Sequence, residues 1–268
     1  MRSCREMRQD AWNLMMKSPW GWRVFGSQVL LGLVLIAALV AVATLYDQSG
    51  ITTWQSFQDA VNEAKRSGIA LAAPTAGEAF RMTVASAFQT FVELLFSGIV
   101  SFGLASVLVR ALSDDGGGWL GAAFGGFKKP FHVFWLYTRM MIQIYLWMLL
   151  LVIPGIMAAF RYALTWYVKA ENPEFGAREC LKESGRLMEG RKGALFVLGL
   201  SYFGWLLLPF LPLFAGMRFS ASENLAAGLP LLFIGVVFAV WVAIYQTLGI
   251  AVFYRDAKRE AAAGFETI

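Results

Sequence analysis

The residues best placed to do chemistry in this chain are three charges set inside long apolar runs: Glu93, Arg139 and Arg161. An ionised side chain is costly in hydrocarbon, so such groups face the interior of a helical bundle, paired or wetted. At a rise of about 1.5 Å per residue, Glu93 lies about 14 Å inside its run, and either arginine could reach that depth. The spacing predicts a buried polar site in which Glu93 meets Arg139 or Arg161. Such a pair either fixes helix register or lines a path for a solute or ion. Gln28, Gln89, Gln143, Tyr145, Tyr202 and Gln246 share the same runs. They could line a cavity or hydrogen-bond between helices.

A second set lies between apolar runs. Arg178, Lys182 and Arg186 recur every four residues and so share one helix face. Ala177, Cys180, Leu181, Ser184, Leu187 and Met188 form the opposite face. Asn172 can cap this helix, Pro173 suits its first position, and Glu174 suits the positive end of its dipole. Gly190 is a natural stop. The pattern predicts an amphipathic helix over 173–189, lying in the inner membrane interface. It is either a structural anchor or a surface for anionic lipid head groups or a protein partner.

Other chemistries lack their residues. His132 is the single histidine, and the two cysteines, Cys4 and Cys180, lie far apart. Neither a metal site nor a disulfide framework is indicated. No serine sits in a Gly-x-Ser-x-Gly context. Gly116, Gly117, Gly118, Gly121, Gly125 and Gly126 crowd one stretch without the Gly-Lys-Ser/Thr ending of a phosphate cradle, so a flexible loop is expected. No enzymatic activity and no cofactor are expected. The net charge of +5 falls in short stretches between apolar runs. It reads as topology signal and contact with anionic lipid, with no nucleic acid as partner.

The elements that must position these residues follow from composition. The chain is 58% hydrophobic and 15% charged, with mean hydropathy +0.57, whereas globular domains are about 45–50% apolar and about 25% charged. The apolar residues come in blocks near the length that crosses a hydrocarbon core of about 30 Å. About six spans are expected: 24–45, 84–112, 131–153, 156–169, 194–215 and 231–254. Pro154-Gly155 breaks the stretch 131–169 into two of them; a single kinked span is the alternative. Ala41-Val42-Ala43 resembles a signal-peptidase site. The length of the first run and the tryptophans Trp12, Trp20 and Trp22 favour an uncleaved span with interfacial anchors. Ser97, Ser101 and Ala105 form a small-residue stripe that suits packing within the chain. Trp54, Phe57, Val61 and Ala64 predict a second amphipathic helix over 52–66 on the outer face.

Basic residues orient the chain. Six spans place Arg2, Arg5, Arg8, Lys17, Arg23, Arg110, Lys128, Lys129, Lys169, Arg178, Lys182, Arg186, Arg191, Lys192, Arg255, Lys258 and Arg259 on the cytoplasmic side. Only Lys65, Arg66, Arg81 and Arg218 fall outside. That asymmetry predicts a cell-membrane protein with both termini cytoplasmic. The expected fold is an all-α, multi-pass transmembrane bundle forming one domain over 1–268, since lipid requires helices or closed barrels.

Several segments carry a family resemblance. They are Ala11-Trp12 and Trp20-Gly21 before the first span, Ile153-Pro154-Gly155-Ile156, Arg161-Tyr162, Glu171-Asn172-Pro173, the run Ser184 to Gly190, Leu195-Phe196 to Trp205, and Phe253-Tyr254. Together they resemble bacterial integral membrane proteins grouped as the domain of unknown function 975 family. Glu171 stands where that family more often has aspartate, and the segment 47–81 is longer than usual. The resemblance implies a multi-pass bacterial membrane protein and no particular activity. Looser similarity to membrane domains fused to glycerophosphodiester phosphodiesterases implies a lipid context; the catalytic domain of those proteins is absent. The functional expectation is a non-enzymatic membrane module that binds lipid or a partner, with a homo-oligomer left open. The alternative is a transporter or channel for a small solute built on Glu93, Arg139 and Arg161, and a membrane enzyme ranks last.

Overall fold

The computed structural model describes residues 2–49, 54–67, 73–113, 118–221 and 225–266, and every regular element among them is helical. The chain opens with α1 (Cys4–Met16), an element the sequence reading did not assign. Its start is a capping box: the Ser3 hydroxyl accepts from the Glu6 N–H at 3.3 Å, and the Glu6 carboxylate accepts from the Ser3 N–H at 3.1 Å. Met7 and Ala11, one turn apart, are fully buried.

The first apolar run is α2 (Trp20–Ser49). Of its two leading tryptophans, Trp20 is core, with the Arg23 guanidinium 4.8 Å from its ring, and Trp22 is exposed. The short amphipathic α3 (Trp54–Ser67) follows, on nearly the expected bounds, and then the 38-residue α4 (Ala76–Ser113). The described part of the glycine-rich stretch is ordered structure rather than a loose loop. It forms α5 (Trp119–Ala123) and a 3-10 turn (Gly125–Lys128), with Ala122, Ala123 and Gly126 buried against α4. Glycine and alanine allow this close approach. Gly116 and Gly117 lie outside the described residues.

Next come α6 (Pro130–Leu150), α7 (Val152–Tyr162) and α8 (Thr165–Glu171). The break lies at Leu151, which is extended (φ −160°, ψ 142°), and not at Pro154-Gly155 as expected. Pro154 sits in the first turn of α7, where a missing N–H costs nothing. The return is antiparallel: Trp166 on α8 stacks on Tyr137 near the start of α6, with centroids 6.0 Å apart. Gly155 makes the hairpin tight, because a side chain there would run into Met148 of α6.

The remaining helices are α9 (Ala177–Leu187), α10 (Lys192–Ser201), α11 (Phe203–Leu206), α12 (Phe210–Ala221) and the 42-residue α13 (Leu225–Glu266). The start of α9 differs from expectation. Asn172 ends α8, its side-chain amide donating to the Val168 carbonyl at 3.1 Å. Gly176 precedes α9, and its N–H donates to the Glu179 carboxylate at 2.6 Å. α13 is the central element, touching α1, α2, α4, α9, α10, α11 and α12. The core gathers where its second half meets α1, α9 and α10, around Trp20, Met188, Tyr202, Leu248 and Phe253.

Among the described residues four helical segments are long and apolar enough to cross a membrane: Trp20–Val42, Ala76–Ser113, Pro130–Leu150 and Gly228–Ala263. The bent pair Lys192–Ser201 and Phe203–Phe219, at 42°, makes a fifth if taken as one. These make four or five spans, and the sixth expected one, 156–169, is divided between α7 and α8, each too short to span alone.

The hairpin contact gives a stability test. Gly155→Ala should lower the thermal midpoint by the equivalent of about 1–3 kcal/mol, the usual cost of overpacking. Gly199→Ala, where a Cβ meets nothing within 4 Å, should leave the midpoint unchanged or raise it. Equal effects in a detergent melting series would refute the close approach.

Candidate functional site

The residues expected to form a buried site are not brought together. Glu93 is half-buried and accepts a hydrogen bond from Gln89, one turn earlier on α4, at 3.2 Å. Arg139 is half-buried and Arg161 exposed. Among the described residues neither arginine pairs with Glu93. Arg161 is claimed by α9 instead. Its carbonyl accepts from the Ser184 hydroxyl at 2.9 Å, and its side chain lies over Gly185, where a Cβ would come within 2.8 Å of Nε. Depth along a run therefore misjudged the neighbour: packing of α9 on α7 takes Arg161 away from Glu93.

The polar groups gather at the end of the bundle where α1, α8, α9 and the last turns of α13 meet. α9 buries Cys180, Leu181, Ser184 and Leu187 and leaves Arg178, Lys182 and Arg186 exposed. Arg186 pairs with Glu183 at 2.6 Å, which holds that carboxyl below its ordinary range. Arg178 and Lys182 have no carboxylate partner among the described residues.

Beside this stripe, Glu171 receives hydrogen bonds from the Tyr254 hydroxyl and the Lys258 ammonium. The stacking of Tyr254 on Tyr167, with centroids 5.4 Å apart, fixes the phenol. Glu171, Glu183, Arg186, Tyr254 and Lys258 line a groove of about 330 Å³. The sequence reading missed this cluster as a site, although Glu171 and Tyr254 both stood in segments that carry the family resemblance.

An ion-pair clamp closes the same end. Arg2 donates to both oxygens of Asp256, Nη2 to Oδ1 at 2.6 Å and Nε to Oδ2 at 2.9 Å. Its remaining nitrogen reaches Asp10 at 2.7 Å, and Arg255 reaches Asp10 at 3.0 Å. Asp256 is only 5% exposed, so this pairing compensates a nearly buried charge. Burial alone would raise the Asp10 carboxyl, but Arg2 and Arg255 outweigh it and hold the group below its ordinary value of 3.8.

Cys180 offers little nucleophilicity. It is fully buried, and desolvation pushes its thiol up to about 11. No group of three metal-ligating side chains occurs among the described residues. Lys169 is buried beneath the turn that leads into α9, its ammonium donating to the carbonyls of Pro173 at 2.8 Å and Phe175 at 2.7 Å.

These features define the class: an all-helical protein with several helices apolar enough to cross a membrane, closed at one end by ion-paired polar helices. Residues 132–261, which carry the Glu171–Tyr254–Lys258 cluster and α9, match the model of a family described as a protein of unknown function, DUF975. Neither the curated proteins nor the solved structures give a match to the chain.

Two tests follow from this geometry. Arg2→Ala leaves the Asp256 carboxylate only the longer contact to Arg255, at 3.7 Å, and should cost about 1–3 kcal/mol, discounted because Arg2 is more than a third exposed. The loss should appear as a lower thermal midpoint and faster proteolysis of α1. Because the Asp10 value is depressed, its contribution is full above pH about 4 and vanishes as the pH falls through the lowered value. Acid should therefore release α1 from the wild-type protein; a pH-independent α1 would refute the clamp. For the thiols, iodoacetamide at neutral pH should label the partly exposed Cys4 and spare Cys180 until the protein is unfolded.

Proposed function

We propose that this chain is a multi-pass protein of the cell membrane, with both termini cytoplasmic, that acts as a non-enzymatic lipid-binding module. The observation that carries this reading is α9. One face of it is locked into the core through Cys180, Leu181, Ser184 and Leu187, while Arg178 and Lys182 stand free on the other. A helix held this firmly offers its cations at a fixed height, where anionic head groups attract basic side chains by about 1 kcal/mol each. Leu149, Leu150, Phe210, Leu211 and Phe233 are exposed apolar side chains that lipid would cover. The return of α7 and α8 beside α6 would supply the sixth crossing that puts both termini on one side.

A second reading, transport of a small solute, is supported by polar atoms in apolar helices. Oxygens of Gln28, Thr138 and Gln143 are buried with no partner among the described residues, and Glu93 is met only by Gln89.

Lipids that co-purify in native-membrane nanodiscs separate the two. The proposal expects anionic lipid enriched over the bulk membrane, and the enrichment reduced in the doubly substituted Arg178→Gln, Lys182→Gln protein. A bulk-like lipid profile in both proteins, with solute flux abolished by Glu93→Gln in proteoliposomes, would replace the module with a carrier.

A further inference from the structure

Lys169 is a charge that its surroundings do not neutralise. It is 7% exposed, and its two described hydrogen bonds go to neutral carbonyls. No carboxylate lies within ion-pair distance of it among the described residues. A buried ammonium is normally matched by an opposite charge, because desolvation is repaid only by close electrostatic partners. Two carbonyls leave the third N–H and the net charge unanswered.

The same side chain forms part of a surface cavity of about 250 Å³, between the start of α6 and the start of α9. The cavity is lined by Phe131, His132, Trp135 and Leu136 on one side and Phe175, Gly176 and Ala177 on the other. No carboxylate belongs to this lining. Lys169 is its buried cation, and His132, the only histidine of the chain, stands exposed beside it. Phe131 and Trp135 are 71% and 59% exposed, and tryptophan with its amphipathic ring favours the membrane–water boundary. A buried lysine in the wall, a polar rim and an apolar, outward-facing flank match an amphiphile whose head is anionic.

We propose that this cavity receives the phosphate of an anionic phospholipid head group. Lys169 lies beneath the phosphate, His132 stands at its edge, and the acyl chains leave along Phe131 and Trp135. This rests on the lipid-binding reading above but assigns the head group to a cavity distinct from the free cations of α9. Phosphate chemistry alone would also admit a free phosphate; the exposed aromatic flank assigns the lipid. A zwitterionic choline lipid is disfavoured, since it brings a second cation to a site that already holds one.

The test titrates full-length protein in neutral detergent with phosphatidylglycerol, phosphatidylcholine or inorganic phosphate, read by native mass spectrometry. The wild type should retain phosphatidylglycerol about ten-fold more tightly than phosphatidylcholine, and inorganic phosphate should not displace it. His132→Glu, made in the Arg178→Gln, Lys182→Gln protein so that only the cavity is read, places a carboxylate beside Lys169 from an exposed position, so the fold should survive while the remaining preference disappears. Lys169→Met should lose it too; if that variant fails to fold, His132→Glu decides alone. Preference retained in His132→Glu would overturn the cavity and leave the lipid-binding reading standing. No preference in the wild type would overturn both. Displacement by inorganic phosphate would overturn the lipid and leave a phosphate site.

Discussion

A carboxylate almost closed off from water, Asp256, must be answered by a cation, and the guanidinium of Arg2 lies across both of its oxygens. Much else depends on that requirement. The contact joins residues 254 positions apart and lays α1 along the end of α13. With α1 in place, Met7 and Ala11 become core, and the Arg8 side chain reaches the Ser201 carbonyl at 3.1 Å, tying in α10. Arg191 with Glu260 and Lys258 with Glu171 repeat the device around α13. The apolar helices are thus gathered at one end by a ring of paired charges, where hydrophobic burial alone would not choose partners among similar apolar faces.

The parts of this fold written in local periodicity were legible from sequence. Apolar blocks gave the long helices, and the spacing of Arg178, Lys182 and Arg186 gave the face of α9 that stays in solvent. What failed depended on a neighbour. Pro154 suggested the break, but a proline in the first turn leaves a helix intact, so the chain bends at Leu151. Asn172 and Pro173 look like a helix start, yet α8 runs up to Asn172 and uses it as its end. The capping box of α1, Ser3 with Glu6, stood in plain view and lacked only an apolar partner face, which α13 supplies. Glu93 was matched to distant arginines, while Gln89 at helical spacing was the nearer donor. The Glu171–Tyr254–Lys258 cluster joins residues 83 and 87 positions apart, beyond any local pattern.

The polar end sorts its charges by how fully they are answered. Asp256, Glu171 and Glu183 each have a cation or phenol in contact. Of the two charged side chains buried among the described residues, Asp256 has its cation, whereas Lys169 has only neutral carbonyls. A buried cation without a counter-charge is prepared for an anion from elsewhere, and that asymmetry, more than net charge, gives this end its chemical character.

The tip of the α6–α7 hairpin has the opposite character. Leu149, Leu150, Leu151, Val152 and Ile153 are all exposed, and no side chain among them can hold water. Nothing among these tip residues can brake the hairpin against movement along its own length; its described polar fastening to α9 lies at the far end, where the Arg161 carbonyl accepts from Ser184. The hairpin is a cantilever, clamped at one end and free at the other. The reach of its tip is set by the clamp, and a thinner or thicker apolar layer changes what the tip touches without changing how it is held.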